Sequence, residues 1–106
     1  MKLLKVITTI DSEEKAINLA ELSVKNKLCA CAQIIGPITS IYTWKNKLEK
    51  DKEWIILFKT QVSLKEKLVQ FIKENHSYEV PEIITIEVNS ENPDYSDWVK
   101  EVTLSS

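Results

Sequence analysis

The chain has 106 residues, 14 basic and 16 acidic side chains and one histidine, giving a formal net charge of −2 and a pI near 5.5. This charge supplies no basic field for nucleic acid, and no apolar stretch is long enough to span a bilayer or form a signal peptide. All 14 basic residues are lysine, so the chain lacks the guanidinium fork that best recognises phosphates and carboxylates. We therefore expect one domain over residues 1–106, cytoplasmic, with no membrane insertion and no nucleic-acid partner.

The first predicted elements are a strand and a helix. Residues 2–10 are apolar and β-branched and are bounded by Asp11-Ser12, which predicts strand 1. Asp11 or Ser12 can cap the next helix, with Glu14 three residues after Asp11 in a capping-box arrangement. Apolar residues then recur at helical spacing and predict helix 1 over residues 13–27: Ala16, Ile17, Ala20, Val24 and Leu28.

Two long strands follow. The strand pattern of residues 29–44 is interrupted at Gly36-Pro37, which predicts a bend or bulge. Asn46 tolerates the left-handed backbone of a tight turn, so a hairpin joins this strand to strand 3, residues 48–60. The two strands are longer than one small domain can cover. Because protruding hairpins invite aggregation unless they are paired, we expect them to pair with another chain in an oligomer.

Cys29 and Cys31 are two residues apart, so in a strand both thiols would point to one face. Their Cα atoms would lie about 6.5–7 Å apart, which is poor geometry for a disulfide. Two interpretations remain open: small buried hydrophobic residues, or soft thiolate ligands for copper or zinc. The second would need further ligands from elsewhere, including another subunit.

A second helix and a fourth strand come next. Ser63 and Glu66 form a capping-box signature for helix 2. Its apolar stripe comprises Leu64, Leu68, Phe71 and Ile72. Residues 82–88 predict strand 4, with three apolar side chains on one face: Ile84, Ile86 and Val88.

Asn92-Pro93 predicts the start of a terminal helix, because proline is favoured in the first helical turn. The apolar stripe of this helix predicts that Tyr95 and Trp98 lie in the core. The order β-α-β-β-α-β plus a terminal helix predicts an α+β protein, a ferredoxin-like sandwich with a long hairpin between strands 2 and 3.

Several functions known for this topology do not fit the residues. An RNA-recognition domain needs glycine and alternating aromatics in strand 3, which this acidic chain lacks. A heavy-metal-associated domain carries Cys-x-x-Cys where this chain has residues 8–11, Thr-Thr-Ile-Asp. A phosphate-handling enzyme of this topology is expected to have an arginine near the phosphate, and this chain has no arginine. No pair of nucleophile and base can be assembled from motifs either, so we expect no enzymatic activity.

Five segments carry a resemblance to one family: residues 28–34 (LCACAQI), 40–49 (SIYTWKNKLE), 58–60 (FKT), 76–83 (HSYEVPEI) and 95–98 (YSDW). In this order and spacing they resemble the CutA divalent-cation-tolerance family over nearly the whole chain. The resemblance implies a ferredoxin-like protomer and a homotrimer whose long hairpins pair between subunits. It also implies a role in metal homeostasis through copper or another divalent cation, with no obligatory cofactor.

The candidate metal ligands are His76 and Cys31. Histidine is the commonest metal ligand and titrates near neutrality. The family's usual His-Pro-Tyr-Glu motif is His-Ser-Tyr-Glu here, and some members carry a strand 1 cysteine and a second histidine where this chain has Thr8 and Asn75. Metal ligation therefore rests on His76 and Cys31. In the alternative interpretation, His76 is a loop residue that forms hydrogen bonds and helps end helix 2.

A second candidate site is an intersubunit cleft formed by Tyr42, Trp44, Trp54, Lys59, Tyr78 and Glu79. Aromatic walls with a few polar groups suit a small ligand, and Lys59 can pair with an anion. The alternative function is therefore a PII-like trimeric signalling or binding module that takes a small anionic ligand. The aromatic residues can instead pack subunit against subunit, and Lys59 can be an ordinary snorkelling lysine.

Overall fold

The computed structural model describes residues 1–105. One four-stranded antiparallel sheet has the strand order β2-β3-β1-β4. In chain order the elements are β1 (Lys2–Ile10), α1 (Glu13–Lys25), β2 (Cys31–Trp44), β3 (Lys47–Thr60), a 3₁₀ turn (Val62–Leu64), α2 (Lys65–Asn75), β4 (Ile83–Asn89) and α3 (Pro93–Val102). The predicted α+β ferredoxin-like fold with a long β2–β3 hairpin is confirmed.

The main core lies between α1, α2 and one face of the sheet. Alternate residues of β1 and β3 point into it and are fully buried, including Val6 and Phe58, which are register partners. The helices contribute Leu19, Leu68 and Ile72 at helical spacing. Burying each such side chain stabilises the fold by about 1.5–3 kcal/mol.

The other face of the sheet is only partly covered. At one end α3 packs Val99 against Leu3. Beyond it the strand register places a patch of apolar side chains on this face, and we call it the open face: Ile7, Ile35, Ile55, Ile84 and Ile86. Ile84 and Ile86 are 48% and 45% exposed. An exposed apolar patch of this kind marks an interaction surface.

The β2–β3 hairpin extends beyond the rest of the sheet. The last register pair between β1 and β3 is Ile10 with Trp54, so residues 38–53 pair only with one another. We call this part the ribbon, and it gives the molecule a long axis of 46 Å against 25 and 21 Å. Lys45 and Asn46 have φ of 51° and 66°, which confirms the predicted tight turn at its tip.

The predicted irregularity at Gly36 is confirmed as a β-bulge between Ile35 and Ile38. Gly36 is exposed and its backbone lies directly against the Trp54 ring. A Cβ atom at Gly36 would come within 2.6 Å of Trp54 Cγ, so only glycine leaves room for the indole. The position is therefore fixed by close packing.

The predicted start of α1 at residue 13 is confirmed, and Ser12, one of the two predicted caps, accepts the Lys15 N–H through its Oγ at 3.1 Å. Two other predicted helix ends differ from those observed. Helix α1 ends at Lys25, because Lys27 adopts a left-handed backbone with φ of 59°. The Ser63 capping box is wrong, since the 3₁₀ turn occupies that position and α2 begins without a side-chain cap.

The predicted burial of Tyr95 and Trp98 is wrong, and so is the placement of Cys29 in a strand, although Cys29 is buried as one of its two interpretations predicts. Tyr95 and Trp98 are both exposed, because α3 covers only one end of the sheet face opposite α1 and α2 and buries Ser96 and Val99 instead. Cys29 and Cys31 do not share a face. Cys29 precedes β2 and is buried in the core under the helices, whereas Cys31 is the first residue of β2 and is half-buried beside α3.

Candidate functional site

A cavity of 350 Å³ lies where the open face, the ribbon and the loop after α2 meet. We call it the aromatic cavity. It is lined by Thr9, Tyr42, Trp44, Glu53, Tyr78, Glu79, Val80 and Glu82. Its volume falls within the range of small-molecule sites in proteins.

Three parts of the chain build the cavity. The strand register turns Thr9 of β1 and Glu53 of β3 to the same face, because each lies one residue from the register pair Ile10 and Trp54. Tyr42 and Trp44 extend from the ribbon on that face, opposite Glu49 and Lys47. The loop of residues 76–82 supplies the remaining wall.

His76 anchors this loop through both of its ring nitrogens. Nδ1 accepts the backbone N–H of Tyr78 at 3.0 Å, so Nε2 carries the proton and donates to the Thr9 carbonyl at 2.9 Å. At the other end of the loop, Thr8 Oγ1 donates to the Glu82 carbonyl at 2.7 Å. The imidazole is therefore neutral and fully engaged, and a metal bound to it would have to displace one of these hydrogen bonds.

Burial lowers the pKa of His76 below its ordinary value of 6.5, and this effect outweighs the hydrogen bond to Thr9 and the carboxylates of Asp11 and Glu53. Between the lowered pKa and 6.5 the unfolded chain binds the proton and the folded chain does not. The contribution of neutral His76 to stability is therefore complete above pH 6.5 and is lost as the pH falls through that window.

We expect the single imidazole signal in a proton NMR titration to give a pKa below 6.5, and unfolding at pH 5 to require less denaturant than at pH 7.5. A His76→Gln variant should lose most of this difference, since glutamine does not titrate. An imidazole pKa at or above 6.5 would contradict the assignment of a buried neutral histidine.

Glu53 and Tyr78 form the polar floor of the cavity. The Tyr78 hydroxyl donates to Glu53 Oε2 at 2.5 Å, and Glu53 is only 8% exposed. Burial and this carboxylate raise the pKa of Tyr78 far above its ordinary value, so the phenol stays a proton donor. In the ribbon, the hydrogen bond to Asp51 raises the pKa of Tyr42 to about 12.

Of the six residues predicted to form a cleft, four line the cavity: Tyr42, Trp44, Tyr78 and Glu79.

The other two lie elsewhere. Trp54 alternates with Glu53 along β3 and packs against the main core instead, with its indole N–H buried and unpartnered among the described residues. Lys59 lies six residues beyond Glu53 along β3, where it donates to Gln33. The predicted cleft did not include four other residues that line the cavity: Thr9, Glu53, Val80 and Glu82.

The structure does not bring His76 and Cys31 together within one chain. Cys31 is opposite Lys59, which is opposite Lys5, whereas His76 contacts Thr9, four residues further along β1. That separation is about 13 Å along the strand direction. Within residues 1–105, no three His, Cys, Asp or Glu side chains are grouped so as to hold a metal ion.

The two thiols differ in chemistry. Burial raises the pKa of Cys29 to about 12, and the neighbouring Cys31 adds to the effect, so Cys29 stays a protonated core residue. Cys31 Sγ lies 3.5 Å from the Tyr95 hydroxyl, and burial, followed by this hydrogen bond, raises the pKa of Tyr95 to about 12. Of the two, Cys31 is therefore the available soft ligand.

No helix in the described part of the chain, residues 1–105, has both the length and the apolar character needed to cross a membrane. The sheet order, the two helices on one face and the protruding ribbon define the class: a ferredoxin-like α+β protein with an extended hairpin. The profile of the family described as CutA1 divalent ion tolerance protein matches residues 4–102. The chain belongs to that family, which is named for tolerance of divalent ions rather than for an enzymatic activity.

Individual relatives agree with this assignment. The chain is 43% identical over 97 residues to Protein CutA of Mus musculus, covering 92% of this chain and 55% of the mouse protein. It is 38% identical to the divalent-cation tolerance protein CutA of Thermus thermophilus, over 92% of this chain and 95% of that protein. The crystal structure of CutA1 from Oryza sativa superposes with a TM-score of 0.95 at 34% identity, covering 100% of this chain and 97% of the other. The chain thus spans about half the length of the mouse relative and nearly all of the bacterial one.

Proposed function

We propose that this protein is a cytoplasmic homotrimer that binds copper or another divalent cation and acts in metal homeostasis, without enzymatic activity. The observation that carries the proposal is the family match over residues 4–102, together with the name of that family. The two free cysteines are compatible with the reducing cytoplasm.

The open face and the ribbon support the assembly. Isolated two-stranded ribbons are marginally stable in water, yet this one extends well beyond the sheet with Ile41 and Leu48 exposed. Pairing of ribbons between subunits would satisfy the strand edges, and packing of open faces would bury Ile84 and Ile86. That the assembly has three subunits is what the family resemblance implies.

The geometry favours Cys31 over His76 as the principal metal ligand. Cys31 begins β2, which is an edge strand of the sheet and therefore accessible to a neighbouring subunit. Its thiolate is the kind of soft ligand that copper prefers. His76 would have to give up the hydrogen bond from Tyr78 or the one to Thr9 before binding a metal. Further ligands would come from another subunit.

Anaerobic calorimetric titration of the purified assembly with copper, and separately with cadmium, tests the metal site. Copper should bind saturably, and Cys31→Ser should weaken binding at least tenfold, which is about 1.4 kcal/mol. His76→Ala should weaken it less. The matched control is Cys29→Ala, which removes the other thiol from the core and should leave binding unchanged.

The control also separates the outcomes. Equal losses in Cys31→Ser and Cys29→Ala would indicate general destabilisation and remove Cys31 from the site. Wild-type affinity in both Cys31→Ser and His76→Ala would remove both residues. Failure of the wild-type assembly to bind either metal would refute the metal-binding part of the proposal.

The second candidate function is a PII-like signalling or binding module, and the aromatic cavity is the observation that favours it. In this alternative function the anionic ligand pairs with Lys59, but Lys59 lies outside the cavity. The cavity therefore supports a small-ligand site, but its lining does not provide the cation that an anion would need.

A further inference from the structure

The charged side chains that line the aromatic cavity all have the same sign. Three carboxylates contribute to the wall, from Glu53, Glu79 and Glu82, and the lining contains no lysine and no histidine. Lys45 is outside the lining and places its ammonium group over the Trp44 ring, 5.9 Å from the ring centroid. The electrostatic potential inside the cavity is therefore negative.

Glu53 is the most informative of the three. It is more than nine-tenths buried, and its one hydrogen bond to a described side chain is the donation from the Tyr78 hydroxyl. Among residues 1–105, no basic side chain forms an ion pair with it. Buried carboxylates are normally paired with a cation, because desolvating an unpaired charge is costly. Within one subunit, the position therefore lacks a positive charge that would complete it.

The remaining walls are suited to an organic cation. Tyr42, Trp44 and Tyr78 contribute aromatic rings, whose faces attract cations within about 6 Å, tryptophan most strongly. The position of the Lys45 ammonium indicates that the Trp44 ring can take a cation on its face. Aromatic rings combined with carboxylates are the arrangement that recognises alkylammonium groups.

A bare metal ion does not fit these walls. Within residues 1–105, no three His, Cys, Asp or Glu side chains are grouped so as to hold a metal ion, and a volume of 350 Å³ suits a molecule with several heavy atoms. We propose that the aromatic cavity binds an organic ammonium ion, with Glu53 as its counter-charge and Trp44 as its aromatic contact. This proposal goes beyond metal tolerance and does not depend on Cys31 or His76 binding a metal.

The test uses the full assembly, with choline as the probe and the neutral isostere 3,3-dimethylbutan-1-ol as its control. Calorimetry and thermal shift should both show saturable binding of choline and at least tenfold weaker binding of the alcohol. Putrescine, a primary diamine, extends the test to ammonium groups that donate hydrogen bonds. Citrate represents an anionic ligand, and it should neither bind nor raise the melting temperature.

Two variants assign the contacts. Glu53→Gln keeps the shape and can still accept from Tyr78, and it should weaken choline binding at least tenfold. Trp44 is 45% exposed within one subunit, so Trp44→Leu should weaken choline binding similarly without loss of folding. The matched control Glu66→Gln makes the same charge change on α2, away from the cavity, and should bind like the wild type. Binding of citrate in preference to choline, binding of neither ammonium probe, or unchanged binding in both cavity variants would overturn the proposal.

Discussion

Replacing both Ile84 and Ile86 with glutamate is expected to convert the proposed trimer into single folded subunits. The two side chains are adjacent on β4 and half-exposed in one chain, so glutamate is tolerated when the subunit is alone. In an assembly packed through the open face, the same positions would bury two carboxylates per subunit without partners. Each would cost several kcal/mol, so association should weaken more than a thousandfold. Sedimentation velocity or light scattering measures the mass.

The matched control places the same charges on the opposite side of the molecule. Ile17 and Val24 of α1 are 43% and 40% exposed, close to the values for Ile84 and Ile86. An Ile17→Glu, Val24→Glu double variant should keep the mass of the wild type. Dissociation of both double variants, or of neither, would contradict an interface at the open face. A wild-type protein that sediments as a monomer would refute the homotrimer itself.

Replacing Gly36 with alanine is expected to destabilise the fold by about 1–3 kcal/mol, the usual cost of inserting a methyl group into a packed site. The added Cβ would overlap the Trp54 ring, which packs against the main core and has little freedom to move away. The midpoint of chemical unfolding should fall without a change in slope.

The source of this loss can be isolated by a double-mutant cycle. Trp54→Leu makes room beside residue 36, so Gly36→Ala should cost much less in that background than in the wild type. Equal costs in the two backgrounds would place the effect in the backbone of residue 36 rather than in contact with the indole. Unchanged stability of the single Gly36→Ala variant would contradict the close packing altogether.

The elements of the fold could be predicted because local patterns determine them. Periodicity and turn chemistry placed the four strands and three helices close to their observed bounds. The exposure of Tyr95 and Trp98 could not be predicted, because a helical stripe does not reveal how much of a sheet is available to cover it. The helix 2 cap was wrong for a related reason: a capping-box pattern does not exclude a preceding 3₁₀ turn.

The candidate site was only partly predictable. The aromatic residues of the hairpin and of the loop after His76 predicted that Tyr42, Trp44 and Tyr78 form a cleft. These three side chains do line one cavity. Alternation along β3 could have shown that Glu53 and Trp54 face opposite ways, but not which of them faces the cavity. The buried, unpaired state of Glu53 depends on contacts with a loop 25 residues away, which sequence patterns do not specify.

The extra residue at the β-bulge sets the phase of the whole ribbon. From Ile55 to Glu53 the chain advances two residues along β3, while β2 advances three between their partners, Ile35 and Ile38. Even-numbered side chains of β2 beyond the bulge consequently share a face with odd-numbered ones before it, which brings Tyr42 and Trp44 to the side of Glu53. Without that insertion the two rings would point the other way, and Ile41 and Thr43 would take their places. The insertion of one residue thus determines which side chains of the hairpin lie beside Glu53. With it they are the aromatic rings of Tyr42 and Trp44, and without it they would be the smaller side chains of Ile41 and Thr43.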